Sequence, residues 1–403
     1  MTQKIIIAGT GFAGLWAAIS AARAVDLAGK TTQDVSITLV SPAPELHIRP
    51  RLYEAALEEM TPSVTHVLET IGATHVAGKV ESLDIAGHKI TVKGPDGQVS
   101  ILDYDRFVLA TGSQLFAPPI PGLAEFTHNV DQVAGGWALR QHLESLASRP
   151  ETPERNTVVV AGAGFTGLET STELPHRLRE IFGQDAKLRV VLLEAAPAVG
   201  PELGAGPRPQ IEEALALAGV EIITGEPLAS VDANGVTTAT GRRIDAATVI
   251  WTAGMRANSL TAQIPGEHDR LGRVKVDAFL HAPEAPGIFV TGDTAWAATD
   301  DVGHVASQSC QHALSLGRVA GHNAAAELVG LPLHPYSQVP YVMCLDLGAW
   351  GAVYTEGWDR QVKMVKDEAK SLKREINTVW IYPPQGDRAA MFDEAHPDKV
   401  IVA

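Results

Sequence analysis

Two Gly-x-Gly-x-x-Gly turns constrain this chain more than any other feature. One is built on Gly9, Gly11 and Gly14, the other on Gly162, Gly164 and Gly167. Each follows a short apolar run (residues 4–8 and 157–161) and opens a stretch of helical character. The glycines have a physical purpose: the turn is tight, the backbone must approach a pyrophosphate, and a side chain would push helix from strand. A single such motif is weak. Two in strand–turn–helix context argue for two dinucleotides held by one chain, whose usual chemistry is electron transfer between them.

With 403 residues the chain can build two or three domains, and its 45% hydrophobic and 20% charged content is that of an ordinary globular protein. The formal charge of −15 argues against a nucleic-acid partner and gives no general attraction to anionic lipid. The first strand begins almost at Met1, and no apolar segment is long enough to span a bilayer, so a cytoplasmic protein without stable membrane insertion is expected. The two cysteines, Cys310 and Cys344, form no Cys-x-x-Cys pair, which argues against a local redox disulfide. The 14 histidines show no ligand spacing, and no metal is expected.

The chain repeats one plan. After the first turn come a helix over residues 15–28, a strand over 35–40, short alternating strands between 78 and 97, and a buried strand over 107–113. After the second come a helix from Leu168, strands over 188–193 and 220–224, and an apolar run ending in Gly254. This is an internal duplication of two α/β units, followed by a long helix over 307–328 and a smaller α+β unit.

These residues resemble the two-dinucleotide-binding-domain flavoproteins, the FAD/NAD(P)-dependent pyridine nucleotide oxidoreductases, and within them the type II NADH dehydrogenase-like branch. The resemblance covers roughly residues 1–330. Gly9, Gly11, Phe12, Ala13 and Gly14 resemble the FAD-binding turn; Ala110, Thr111 and Gly112 resemble the Ala-Thr-Gly segment. Gly292 and Asp293 resemble the Gly-Asp motif whose carboxylate holds the ribityl chain of the flavin. Gly164, Phe165, Thr166 and Gly167, running on to Glu169 and Glu173, resemble the NADH turn. The resemblance implies two Rossmann-like domains in the glutathione-reductase-like arrangement. Non-covalent FAD is held by residues 1–118 and 257–330, NADH by an inserted domain over 119–256, and residues 331–403 form a C-terminal cap.

The implied site residues follow. In the first unit the ribose-binding acid is replaced by Ser41, Arg49 and Pro50 resemble an Arg-Pro segment near the flavin, and Val80 falls where relatives offer backbone to adenine. In the second, Glu194 ends the second strand, where a carboxylate accepts bonds from the ribose and repels the extra phosphate of NADPH, so NADH is expected ahead of NADPH. Gly162 and Gly254 complete this site. Glu169 falls near the flavin–nicotinamide junction, with orientation of the nicotinamide or proton delivery as its roles. Gln308, Gln311 and His312 resemble the helix start that faces the flavin and lines a quinone pocket, although their spacing departs from the usual one.

The expected function is therefore oxidation of NADH through FAD, with two electrons passed to a small quinone-like acceptor. The alternatives are a reductase of a ferredoxin- or rubredoxin-like carrier protein, a biosynthetic tailoring oxidoreductase, and a redox-sensing interaction protein; a homodimer stays open. The carrier reading draws on Arg49 and on a basic face along residues 362–376, read as one helix: Lys363, Lys366, Lys370, Lys373 and Arg374.

Overall fold

A computed structural model describes residues 2–338 and 341–400. Strand β1 (Gln3–Ala8) leads into helix α1 (Phe12–Leu27), then β2 (Val35–Ser41), β3 (Thr74–Ala77) and β4 (Arg106–Leu109). The second unit runs β5 (Thr157–Ala161), α2 (Phe165–Phe182), β6 (Arg189–Leu193), β7 (Val220–Ile223) and β8 (Thr248–Trp251). The chain then supplies β9 (Ile288–Val290) and the long helix α3 (Cys310–Val329). It finishes with the antiparallel strands β10 (Val342–Asp346), β11 (Ala352–Glu356) and β12 (Gln361–Val365) and with helix α4 (Lys366–Glu375).

The first sheet has the order β9-β4-β1-β2-β3 and is parallel throughout. Its last member comes from beyond the second unit, with Ile288 paired to Phe107. The second sheet, β7-β6-β5-β8, is also parallel, and its four strands are consecutive in the chain among parallel strands. Covered on both faces, such strands read as unbroken apolar runs: all five residues of β5 are buried. The polar stretch between β3 and β4 forms a three-stranded antiparallel sheet from Lys79–Asp84, Lys89–Lys93 and Val99–Asp103, the element type its alternation suggests.

Helix α1 is buried nearly all round because α3 lies directly on it. A Cβ on Gly317 would stand 2.4 Å from the Ala13 carbonyl oxygen, and one on Gly321 2.0 Å from that of Ala17. The two backbones meet at this spacing only because both positions lack a side chain.

Two expectations need correction. Helices α1 and α2 begin at Phe12 and Phe165, inside the glycine motifs, a full turn before the 15–28 stretch and Leu168. Residues 362–376 are not one helix: the chain runs extended through β12, turns at Lys366 (φ 58°), and only then enters α4. The apparent helical stripe therefore joined a strand face to a helix face.

Candidate active site

Both glycine turns sit at the C-terminal edge of their sheets, where α/β folds bind ligands. Gly9 (φ 109°) and Gly162 (φ 113°) take up backbone conformations that exclude ordinary side chains. Gly14 and Gly167 seat the helix on the turn: a Cβ at either would lie 2.0 or 1.8 Å from the carbonyl oxygen of Gly9 or Gly162. A Cβ on Gly11 would meet nothing within 4 Å, so the space before the N-terminus of α1 is open. An open, glycine-lined helix start fits a pyrophosphate.

Around the first turn the side chains converge. Arg49 lies in a single 3-10 turn with Pro50 and donates to the carboxylate of Asp131, to its carbonyl (3.1 Å) and to Ser113 Oγ (3.3 Å). Its guanidinium stands 3.8 Å from Asp293, which accepts 2.6 Å from Ser113. Burial raises the pKa of Asp293, against Arg49 and Ser113, which lower it. Gly292 (φ 62°) places that carboxylate, and a Cβ there would press on Ala13 at 2.7 Å. Ala110, Thr111 and Gly112 follow β4 beside the turn, where the Ala110 carbonyl oxygen is 2.4 Å from a Cβ on Gly9.

Ser41 closes β2, but its hydroxyl is already engaged: it donates to Ala43 O at 2.6 Å and meets Thr10 and His75 at 3.1 and 2.9 Å. Val80 pairs with Val92 in the small antiparallel sheet. Neither Asp131 nor Ser113 stood out in the sequence, because neither belongs to a motif; the fold alone brings them to Arg49.

At the second turn Glu194 follows β6 directly and accepts from the backbone N–H of Ala163 (2.6 Å) and Ala196 (2.8 Å). The carboxylate is thereby fixed at the strand end. Gly254 (φ 81°) follows β8, close to Phe116.

Phe165, Thr166 and Gly167 begin α2, and one turn on lies Glu169, only 3% exposed. Its Oε1 lies 2.9 Å from Lys373 Nζ of α4 and accepts 3.1 Å from the backbone N–H of Asp346. Lys373 also donates to the Cys344 carbonyl at 3.0 Å. Burial raises Glu169 to about 7, with Lys373 pulling down and Asp346 pushing up. Burial works against the Lys373 charge too, but Glu169 outweighs it and holds that ammonium above its ordinary range. The pair thus keeps a permanent cation beside a carboxylate that gains and loses its proton near neutrality. Glu173, one turn further, is raised by burial and by Asp346.

Lys373 is one of the residues read as a solvated basic face. Structurally that face is divided: Lys373 and Lys370 are drawn inward, the latter 2.5 Å from Asp346, while Lys363 and Lys366 stay exposed in loose pairs with Glu356 (4.0 Å) and Glu213 (3.4 Å), and Arg374 is exposed with no acidic partner among the described residues. The continuous basic face expected along one helix is therefore not formed.

The start of α3 closes the site from the other side. Gln308 donates to the Asp293 carbonyl at 3.2 Å, which ties it to the first turn. Both amide atoms of Gln311 are buried without a hydrogen-bond partner among the described residues. Orphaned buried amide groups mark a place for a polar ligand. His312 is fully buried, with Nδ1 2.9 Å from Ser309 Oγ and Nε2 without a hydrogen-bond partner among the described residues. Burial, with Arg360 and Arg273 adding to it, lowers His312 to about 3, so it is a neutral imidazole, able to donate or accept a hydrogen bond but not to serve as an imidazolium acid. Cys310 and Cys344 are free thiols raised by burial, Cys344 to about 11.

The duplicated turns, the returning Gly292–Asp293 strand end and the buried Glu169 define a lineage as well as a site. Residues 3–317 match the pyridine nucleotide-disulphide oxidoreductases. The chain belongs to that family. It is 45% identical over 397 residues to an NADH dehydrogenase-like protein of Mycobacterium tuberculosis, covering 98% of each chain. It is also 32% identical to the type II NADH:quinone oxidoreductase Ndh of the same organism, covering 87% of this chain and 78% of that one. The fold matches NDH2 from Plasmodium falciparum in complex with NADH with a TM-score of 0.74 at 13% identity, covering 98% and 97%. No helix among the described residues is long and apolar enough to cross a membrane.

Proposed function

We propose that the protein binds FAD at the Gly9–Gly14 turn and NADH at the Gly162–Gly167 turn, and passes two electrons from NADH to a quinone. The observation that carries this reading is the pair of glycine turns, with Asp293 and Arg49 beside the first and Glu194 fixed beside the second; the buried Glu169–Lys373 pair lies one helical turn beyond the second. A flavin held at the first turn would supply the hydride-accepting and electron-releasing chemistry that no side chain of this protein offers. The residues around it divide the remaining work. Asp293, Ser113 and Arg49 hold the ribityl and pyrophosphate region of the flavin, and Glu194 receives the adenosine ribose of NADH and disfavours NADPH. Glu169 holds a proton for the reduced acceptor, with Lys373 keeping it ionisable in a dry setting. Gln308 and Gln311 offer amide groups to the flavin edge or a quinone carbonyl. His312, being neutral, is restricted to hydrogen bonding. The family's name refers to a disulphide, but Cys310, half-buried, and Cys344, buried, are both free thiols with raised pKa values, so electrons leave without a cysteine relay. The 45% identical relative called NADH dehydrogenase-like and the type II NADH:quinone oxidoreductase support the same donor and acceptor.

The test is the visible spectrum of the FAD-loaded protein under anaerobic NADH addition, followed by a soluble quinone. Bleaching and then recovery is expected. Absence of bleaching by NADH would overturn the reading, and bleaching without recovery would remove the quinone from it.

A further inference from the structure

The C-terminal unit does more than supply Lys373. Between β11 and β12 the chain turns through Trp358 and Arg360, and this hairpin reaches back over both nucleotide-binding units. The Trp358 ring stacks on His304 of the first unit (centroids 4.6 Å apart, planes 7° apart) and on Tyr341 (4.7 Å, 15°). Arg360 lays its guanidinium over the other side of the cluster, 4.2 Å from the Tyr341 ring centroid. On the second unit the approach is closer still: a Cβ on Gly206 would stand 2.5 Å from the Arg360 carbonyl oxygen. Arg360 itself is held at φ 56°, a conformation costly for a residue with a side chain. The hairpin is therefore pinned on two sides.

What it faces can be traced. The Tyr341 ring lies 5.1 Å from that of His312 at the start of α3, while Gly206, against which Arg360 packs, belongs to the loop that carries Glu202. Glu202 in turn lies 3.1 Å from a Cβ on Gly164, at the mouth of the second glycine turn. Arg360 thus packs on the loop whose Glu202 borders that turn. Its Nη1 is buried and has no hydrogen-bond partner among the described residues. A buried, unsatisfied guanidinium donor is costly, and the natural complement is an anion with fixed oxygens. At the N-terminus of α2 the anion the motif is built to receive is a dinucleotide pyrophosphate.

We infer that Arg360 is a nucleotide-positioning residue: anchored on Tyr341 and Trp358, it closes the NADH cleft from the C-terminal unit and donates to the pyrophosphate on its nicotinamide side. This rests on the assignment of NADH to the second turn and adds a clamp to it. The adenosine end, held at Glu194, lies beyond its part in binding.

The test uses calorimetric titration of FAD-loaded protein with NAD⁺ and, separately, with AMP, which retains the adenosine end and lacks the nicotinamide half. Arg360→Ala is expected to weaken NAD⁺ about ten- to a hundredfold, the loss of one charge-assisted contact, with AMP affinity and FAD content unchanged. Arg360→Gln keeps the side-chain bulk on Tyr341 and serves if the alanine variant folds poorly; it should show the same selective loss. Unchanged NAD⁺ affinity, or equal weakening of NAD⁺ and AMP, overturns the inference while leaving the second turn a nucleotide site. A wild-type protein that binds neither ligand overturns the NADH assignment itself.

Discussion

Replacing Lys373 by methionine should produce a stability loss that depends on pH in one direction only. The substitution leaves Glu169 buried at 3% exposure with the Asp346 N–H as its remaining donor. A carboxyl raised in the folded state favours its protonated form, so its stability contribution is complete below the ordinary carboxylate range and is lost as pH rises through the folded value. In the wild type that loss ends at about 7, because Glu169 then ionises beside Lys373. In Lys373→Met no cation allows this, and the loss continues at about 1.4 kcal/mol per pH unit. Between neutrality and about pH 8.5 the variant therefore falls behind by a further ~2 kcal/mol, on its way to the roughly 3–5 kcal/mol cost of an uncompensated buried charge. Urea denaturation of the FAD-loaded proteins, followed by flavin fluorescence at about pH 6 and pH 8.5, reads the difference. The double variant Glu169→Gln/Lys373→Met should show no growth of the deficit with pH. A Lys373→Met deficit equal at both pH values would refute the reasoning, since it would mean that Glu169 is not the group left stranded.

Further outcomes follow from the same geometry. Gly167→Ala drives a Cβ to 1.8 Å from the Gly162 carbonyl oxygen, so flavin reduction by NADH should fall at least about a hundredfold, the cost of misplacing a bound reactant, while FAD content stays normal; retained reduction would argue against the second turn as the donor site. Glu194→Ala should lower kcat/KM for NADH about tenfold and narrow the preference over NADPH, and steady-state rates unchanged for both nucleotides would remove Glu194 from the ribose site. The double substitution Cys310→Ser with Cys344→Ser should leave NADH bleaching intact in protein that keeps its FAD; loss of bleaching would reinstate a thiol step.

The glycine turns, the acid position at Glu194 and the strand that ends at Asp293 were legible because each rests on local backbone need: a tight turn, an open helix start, an apolar strand. What escaped was whatever depends on elements meeting across the chain. Asp131 and Ser113 carry no motif and become site residues only where the segments after β4 fold onto Arg49. Lys373 was visible, but its spacing from Lys363, Lys366 and Lys370 imitated a single helical face. A strand–helix junction at Lys366 broke that face, and each lysine found an acid elsewhere in the chain. Glu169 and Glu173 share one face of α2, and the charge that acts on them from Asp346 comes from the C-terminal unit, whose packing no local pattern announces.

The route of the chain through the first sheet also bears on how the molecule is made. Strand β9, Asp293 and helix α3 are translated only after the whole second unit, yet the proposed first nucleotide site draws on all three. On the ribosome the strands β5 to β8 can pair as soon as they emerge, whereas α1 must wait, its apolar surface uncovered, for Gly317 and Gly321 to arrive. Loading of the flavin proposed for the first turn would thus be a late step of synthesis. A chain truncated before α3 would leave a complete second unit tethered to an N-terminal segment unable to close, a natural client for chaperones and proteases.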